Sequence, residues 1–222
     1  MRDIKSHQRV NDILLGPLER PALRWLAAHT PAWVNPDVMT AVGVFGAVLV
    51  FLSYWLTNYN KNFLWLASLG FVINWFGDSL DGTLARYRHI ERPKYGFFVD
   101  HTVDSLNIVL IFLGLGLSPY VSFGVACLAL IGYLLMSILV YVRTCIMAEY
   151  KISFGGFGPT ESRVIAMMVN TLIYFTGSPT ITLPIGKVRI FDWIVAGIAG
   201  ILFLLFIGQT LRQARELARL GE

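Results

Sequence analysis

The chain has 222 residues, 55% of them hydrophobic and 14% charged, with 18 basic against 14 acidic residues for a formal net charge of +4. Mean hydropathy is +0.61. Soluble domains carry about 25% charged residues, so this composition excludes a cytosolic globular enzyme, a disordered tail and a nucleic-acid binder that relies on charge density. The expected class is an all-α membrane protein.

The opening stretch, residues 1–37, is mixed and charged and does not read as a secretory signal. Ile13, Leu14, Leu18, Leu23, Trp25 and Leu26 alternate with Glu19, Arg20 and Arg24. That pattern predicts an amphipathic helix lying in the headgroup plane, with its tryptophan at interface depth. An ordinary cytoplasmic helix is the plainer alternative.

A helix needs about 20 mostly apolar residues to cross the hydrocarbon core. Six spans follow in order: Val38–Thr57, Asn62–Ala85, Gly96–Leu117, Tyr120–Thr144, Ser162–Thr176 continuing toward Gly186, and Phe191–Leu211. Gly177, Pro179 and Pro184 interrupt the fifth. Residues 38–211 would form the membrane domain and 212–222 a basic cytoplasmic tail. Cys127 and Cys145 stand in apolar runs without metal-ligand spacing, where cysteine serves as a small hydrophobe.

Charge placement supports an even number of spans. With these boundaries fifteen basic residues fall on one side, and only Lys61, Lys187 and Arg189 on the other. The positive-inside rule then places both termini and the second and fourth loops in the cytoplasm.

The acidic residues carry the chemistry. Asp78, Asp81, Asp100 and Asp104 lie inside predicted spans, where an ionisable group costs about 2.5–3.5 kcal/mol on insertion scales. Asp78 and Asp81 are three residues apart, and Asp100 and Asp104 four apart, so each pair shares a helical face. A short loop joins the two helices, so antiparallel packing would gather all four carboxylates at one depth. Four such groups stay ionised only beside cations. Hard oxygen ligands suit Mg²⁺ or Mn²⁺, with two ions expected.

Transporters also line their pathways with intramembrane acids, so a cation pathway or secondary transporter is the competing reading. It predicts inverted repeats and broken helices, and the acidic pattern has no second copy. The neighbouring residues favour a phosphate ligand instead. Gly82 and Ala85 fall about 40° and −20° from Asp78 on a helical wheel, leaving a slot beside the acids. Gly96 repeats this one turn before Asp100, and Arg86 suits a bidentate phosphate contact.

These residues resemble the CDP-alcohol phosphotransferases. That family's pattern is D-x-x-D-G-x-x-A-R, a spacer of about eight residues, then G-x-x-x-D-x-x-x-D. Asp78, Asp81, Gly82, Ala85, Arg86, Gly96, Asp100 and Asp104 fill every fixed position, with a spacer of nine. The resemblance implies transfer of a substituted phosphate from a CDP-linked donor to an alcohol, with release of CMP. It implies that Asp78, Asp81 and Asp100 hold the metals, with Asp104 contributing and acting as general base. Asp78, Asp81, Gly82, Ala85 and Arg86 would contact the cytidine diphosphate, with Gly96 making room. One reactant would be a lipid, no nucleic acid would take part, and a homodimer is the common family state. A prokaryotic inner membrane is the expected location.

The fourth loop should complete the substrate site. Arg143, Lys151, Glu161 and Arg163 surround a turn at Gly155, Gly156 and Gly158, where cations could hold phosphate or carboxylate groups. Thr40, within Asn35-Pro36-x-x-x-Thr40-x-x-Gly43, and His101, beside Asp100, are further substrate-side candidates. The stretch Asp100-His101-x-x-Asp104-Ser105-Leu106 and the pair Thr160-Glu161 look like the choline/ethanolamine branch. The opening around Thr40 fits the inositol branch as well.

Overall fold

The structure is a computed structural model that describes residues 14–147, 158–183 and 186–219. Among the described residues, the chain order is α1 (Gly16–His29), α2 (Pro36–Leu56), α3 (Phe63–Tyr87), α4 (Pro93–Leu117), α5 (Phe123–Met147), α6 (Pro159–Thr176), β1 (Thr180–Leu183), β2 (Gly186–Arg189) and α7 (Ile190–Arg219). Five of these helices, α2, α3, α4, α5 as far as Thr144, and α7, are long and apolar enough to cross a membrane. The chain is therefore a multi-pass membrane protein.

The fifth predicted span needs correction. It does not run on toward Gly186. Helix α6 has 18 residues and stops at Thr176, where Gly177 adopts φ 73°, a left-handed conformation open to glycine. Pro179 cannot donate a helical hydrogen bond, and Thr180, Ile181 and Thr182 favour strand. β1 and β2 pair antiparallel, with Thr180 opposite Arg189 and Leu183 opposite Gly186. Helix α6 is not among the five long apolar helices. It carries Glu161, Arg163 and Asn170, each of which bonds to a neighbouring element.

Local chemistry starts the elements. Asn35 caps α2 by accepting from the Val38 amide at 2.9 Å, and Pro36 follows at the first helical position. Pro93 and Pro159 open α4 and α6 in the same way. Small residues then set the helix spacing. A Cβ on Gly77 would lie 2.2 Å from the Gly43 nitrogen, and one on Gly46 would lie 2.3 Å from the Asn74 nitrogen. Helices α2 and α3 therefore touch backbone to backbone and run antiparallel, the kind of approach small residues permit in membranes. A Cβ on Gly114 of α4 would likewise lie 2.7 Å from the Phe51 Cα of α2.

Helix α1 packs beside the C-terminal half of α3. Leu23 and Ala27 are buried with Val34, Met39, Leu80 and Leu84, whereas Leu14, Leu18 and Trp25 remain exposed. Arg88, just past α3, donates to the carbonyls of Thr30, Pro31 and Val34 and ties the end of α3 to the α1–α2 connection. Arg92 grips both oxygens of Asp37 at 2.7 and 2.8 Å. The loop between α3 and α4 is thus held against the start of α2, which positions the aspartates on either side of it.

Candidate active site

Asp78 lies in the second half of α3 and Asp100 and Asp104 in the first half of α4. Antiparallel helices joined by the short loop at residues 88–92 bring these three together: one carboxylate oxygen from each lies within 4.8 Å of the others. Like charges at this spacing repel strongly where water is scarce.

Arg163, on α6, supplies a counter-charge. Its Nη2 donates to Asp78 Oδ2 at 2.6 Å and its Nε to Asn74 Oδ1 at 2.8 Å. The Arg163 and Asp78 side chains are 11% and 19% exposed, so the pair is largely desolvated, and losing either partner would strand the other charge. Asn74 completes the arrangement by donating from Nδ2 to the Gly43 carbonyl at 2.9 Å. Three carboxylates against one guanidinium leave a net negative charge. Their oxygen donors at this spacing could hold a metal ion.

Asp81 does not join the group of three. One turn nearer the loop, its Oδ2 accepts from Thr40 Oγ1 at 2.7 Å and its Oδ1 from the Gly82 amide. The sequence pattern places it on the face of Asp78, and α2 offers it a hydroxyl there. Thr40 accordingly touches Asp81 and its own Pro36 carbonyl. Arg86 folds back along Gly82, donating to Thr83 Oγ1 at 3.2 Å. Ala85 is half-buried on the same helix. Gly96 is exposed, and a Cβ placed on it would meet nothing within 4 Å beyond its own helix.

The remaining candidates divide. His101 Nδ1 lies 3.7 Å from Asp100 Oδ2. Its ring stacks on Phe97 at 4.1 Å and meets the Tyr141 ring edge-on at 5.1 Å. Glu161 is buried with both oxygens engaged: Oε1 accepts from the Leu15 amide at 2.9 Å and Oε2 from the Gly158 amide at 3.0 Å. It closes the first turn of α6 and ties α1 to it. Arg143 is half-buried on α5, two residues after Tyr141. Lys151, Gly155 and Gly156 lie outside the described residues, as do residues 1–13 and 220–222.

Several residues near the acids escaped the sequence reading. Asn74 stands four positions before Asp78 in an apolar run, and an intramembrane asparagine on the aspartate face was the available signal. Tyr133 stands on α5, about two turns before Tyr141. Tyr141, farther along α5, meets the His101 ring edge-on at 5.1 Å. Neither tyrosine is marked by periodicity in an aromatic-rich helix.

Comparison with known proteins agrees with this geometry. The chain is 40% identical over 88 residues to a phosphatidylinositol phosphate synthase of Cutibacterium acnes, which covers 39% of each chain. It is 32% identical over 104 residues to an archaetidylinositol phosphate synthase of Pyrococcus horikoshii, covering 47% of this chain and 52% of that one. To cholinephosphotransferase 1 of Mus musculus it is 25% identical over 210 residues, or 90% of this chain and 52% of the relative. The chain thus spans between 39% and 52% of the length of these relatives. The family model for CDP-alcohol phosphatidyltransferase matches residues 33–206, a stretch that contains all eight motif positions and every helix from α2 to α6. With most of its length matched, the chain belongs to the CDP-alcohol phosphatidyltransferase family.

Proposed function

We propose that the protein transfers a substituted phosphate from a CDP-linked donor to the hydroxyl of an alcohol acceptor and releases CMP, as a step in phospholipid synthesis. The convergence of Asp78, Asp100 and Asp104 beside a complete family pattern carries this reading. In the reaction the acceptor oxygen forms a bond to phosphorus, the bond from phosphorus to the CMP oxygen breaks, and the acceptor proton leaves. Asp104 takes that proton. Gly82, Ala85, Arg86 and the open space at Gly96 receive the cytidine diphosphate, and Arg163 lies where a guanidinium can meet developing phosphate charge. Asp78, Asp100 and Asp104, with Asp81 one turn away, would hold the cations, Mg²⁺ or Mn²⁺, as two ions. Bound there, such ions stabilise entering and leaving oxygens in displacement at phosphorus.

The lipid reactant explains why the acids stand inside a membrane domain, residues 38–211. Helix α6 is proposed as the sixth crossing, its polar residues turned to α2 and α3 and its exposed Met168, Leu172 and Phe175 toward lipid. Both termini are then cytoplasmic. Helix α1 lies at the interface with Leu18 and Trp25 in the headgroups, and residues 212–222 form a basic tail. A prokaryotic inner membrane and a homodimer complete the proposal. Thr40, His101, Arg143, Lys151, Glu161 and Arg163 surround the substrate side, Thr40 through Asp81 and Glu161 by holding α6.

A cation pathway is disfavoured because the acids cluster in the helix halves nearest one loop, not at breaks near a midplane. Purified protein offered CDP-diacylglycerol with inositol phosphate, glycerol phosphate, serine or inositol, and separately CDP-choline or CDP-ethanolamine with diacylglycerol, tests the reading. CMP release in one set assigns the side that carries the lipid. Silence in both, with no thermal protection by cytidine nucleotides, would defeat the phosphotransferase reading.

A further inference from the structure

Glu19 lies in the first turn of α1, before the segment at residues 33–206 that the family model matches. Its Oε1 accepts three hydrogen bonds: from Trp75 Nε1 at 2.7 Å, Ser79 Oγ at 3.0 Å and Thr160 Oγ1 at 3.0 Å. Trp75 and Ser79 are four apart on α3, and each directly follows a partner of Arg163: Asn74 and Asp78. Helices α1 and α6 therefore grip the same two turns of α3 from adjacent faces, about 100° apart on the helix. The Glu19–Thr160 bond closes the ring. A second tie runs the other way, from the Leu15 amide to Glu161.

Arg163 follows Thr160 by three residues, so the clasp and the guanidinium sit on the same first turns of α6. The backbone there comes directly after residues 148–157, and these bonds anchor its start. A carboxylate that accepts three hydrogen bonds in a half-buried seam is a strong anchor, and substitution leaves three donors to find other partners.

We propose that Glu19 is a positioning residue. It clasps α1 and the start of α6 onto α3 so that Arg163 is held against Asp78 and Asn74, making the orientation of the catalytic cluster depend on the docking of α1. The clasp rests on the placement of Arg163 at the phosphotransfer site proposed above. It goes beyond that reading by giving α1 a role in the chemistry.

Three variants of the full chain test this, with CMP release as the first readout. Glu19→Ala should lower kcat about tenfold with less than about a twofold change in donor KM, because Arg163 would be misplaced for charge that develops in the transition state. Glu19→Gln keeps an acceptor oxygen and should retain activity within about threefold. Thr160→Val removes one donor and should fall between them. Combining Glu19→Ala with Arg163→Lys should cost little more than Arg163→Lys alone, since residues in one network are not additive. Losses that multiply would overturn the proposal, as would a Glu19→Gln loss equal to that of Glu19→Ala.

Hydrogen exchange supplies a readout independent of turnover. In Glu19→Ala, or in Thr160→Val should the first fail to fold, amides at 158–166 should exchange faster while those of α7 stay unchanged. Unaltered protection at 158–166 would refute the clasp. If the unaltered protein released no CMP, the phosphotransferase reading would fall, and the exchange result would still decide the clasp.

Discussion

Gly77→Ala probes the seam on which the site is built. The added Cβ would lie 2.2 Å from the Gly43 nitrogen, 2.5 Å from the Met39 oxygen and 2.6 Å from the Gly43 Cα. All three are backbone atoms, so no rotamer change relieves the contact. Ordinary carbon contacts are about 3.5–4.0 Å, and α2 and α3 would have to part by more than about 1 Å. Overpacking of this kind costs about 1–3 kcal/mol, and rigid backbone on both sides puts Gly77→Ala near the upper end. For a chain of this size that corresponds to a fall in Tm of about 6–12 °C. The same displacement would stretch the Asn74–Gly43 bond, now 2.9 Å, and the Thr40–Asp81 bond, now 2.7 Å, beyond hydrogen-bonding range. Misplacement by about 1 Å can cost about a hundredfold in rate, so turnover should drop well beyond the loss of folded protein. The assay is thermal unfolding in detergent alongside CMP release per folded molecule. Gly208→Ala, with no atom within 4 Å of its Cβ position, is the control and should leave both unchanged. A Gly77→Ala protein with wild-type Tm and turnover would refute the close α2–α3 contact and the account of the site resting on it.

Gly96→Ala should separate space for ligand from space for packing. Its Cβ meets nothing within 4 Å, so Tm should hold while donor KM rises; an unchanged KM would remove Gly96 from the nucleotide site. Asn74→Ala should cost both stability and turnover, since it removes partners from Arg163 and from the buried Gly43 carbonyl. A loss of about 1–3 kcal/mol is expected in urea or thermal unfolding, and a neutral result would argue against the Arg163–Asn74 contact.

Much of this was legible because helices report their faces through spacing. Asp78 with Asp100 and Asp104 converge as their positions on two loop-joined helices require, and α2, α3, α4, α5 and α7 begin and end within a few residues of the apolar runs apart from the longer C-terminal end of α7. Asp81 shares the face of Asp78 yet turns to Thr40, because a hydroxyl 41 residues earlier in the chain competes for it. Spacing on α3 alone contains no trace of that partner. Glu161 is buried at the start of α6 and accepts from the Leu15 amide, a partner 146 residues away that local spacing does not reveal. The continuation of the fifth span toward Gly186 failed for a local reason. Gly177 and Pro179 are strong breaks, and the β-branched run after them pairs as a hairpin.

The measurement closest to the central claim is CMP release by the purified protein with and without Mg²⁺ or Mn²⁺, compared with Asp104→Asn under the same conditions. The account predicts metal-dependent release from a CDP-linked donor that stops when the metal is chelated. It predicts loss of about a thousandfold or more in Asp104→Asn, as expected when a proton acceptor beside the metals is neutralised, while the variant stays folded in detergent. Release at an undiminished rate by folded Asp104→Asn, or release indifferent to metal, would contradict it.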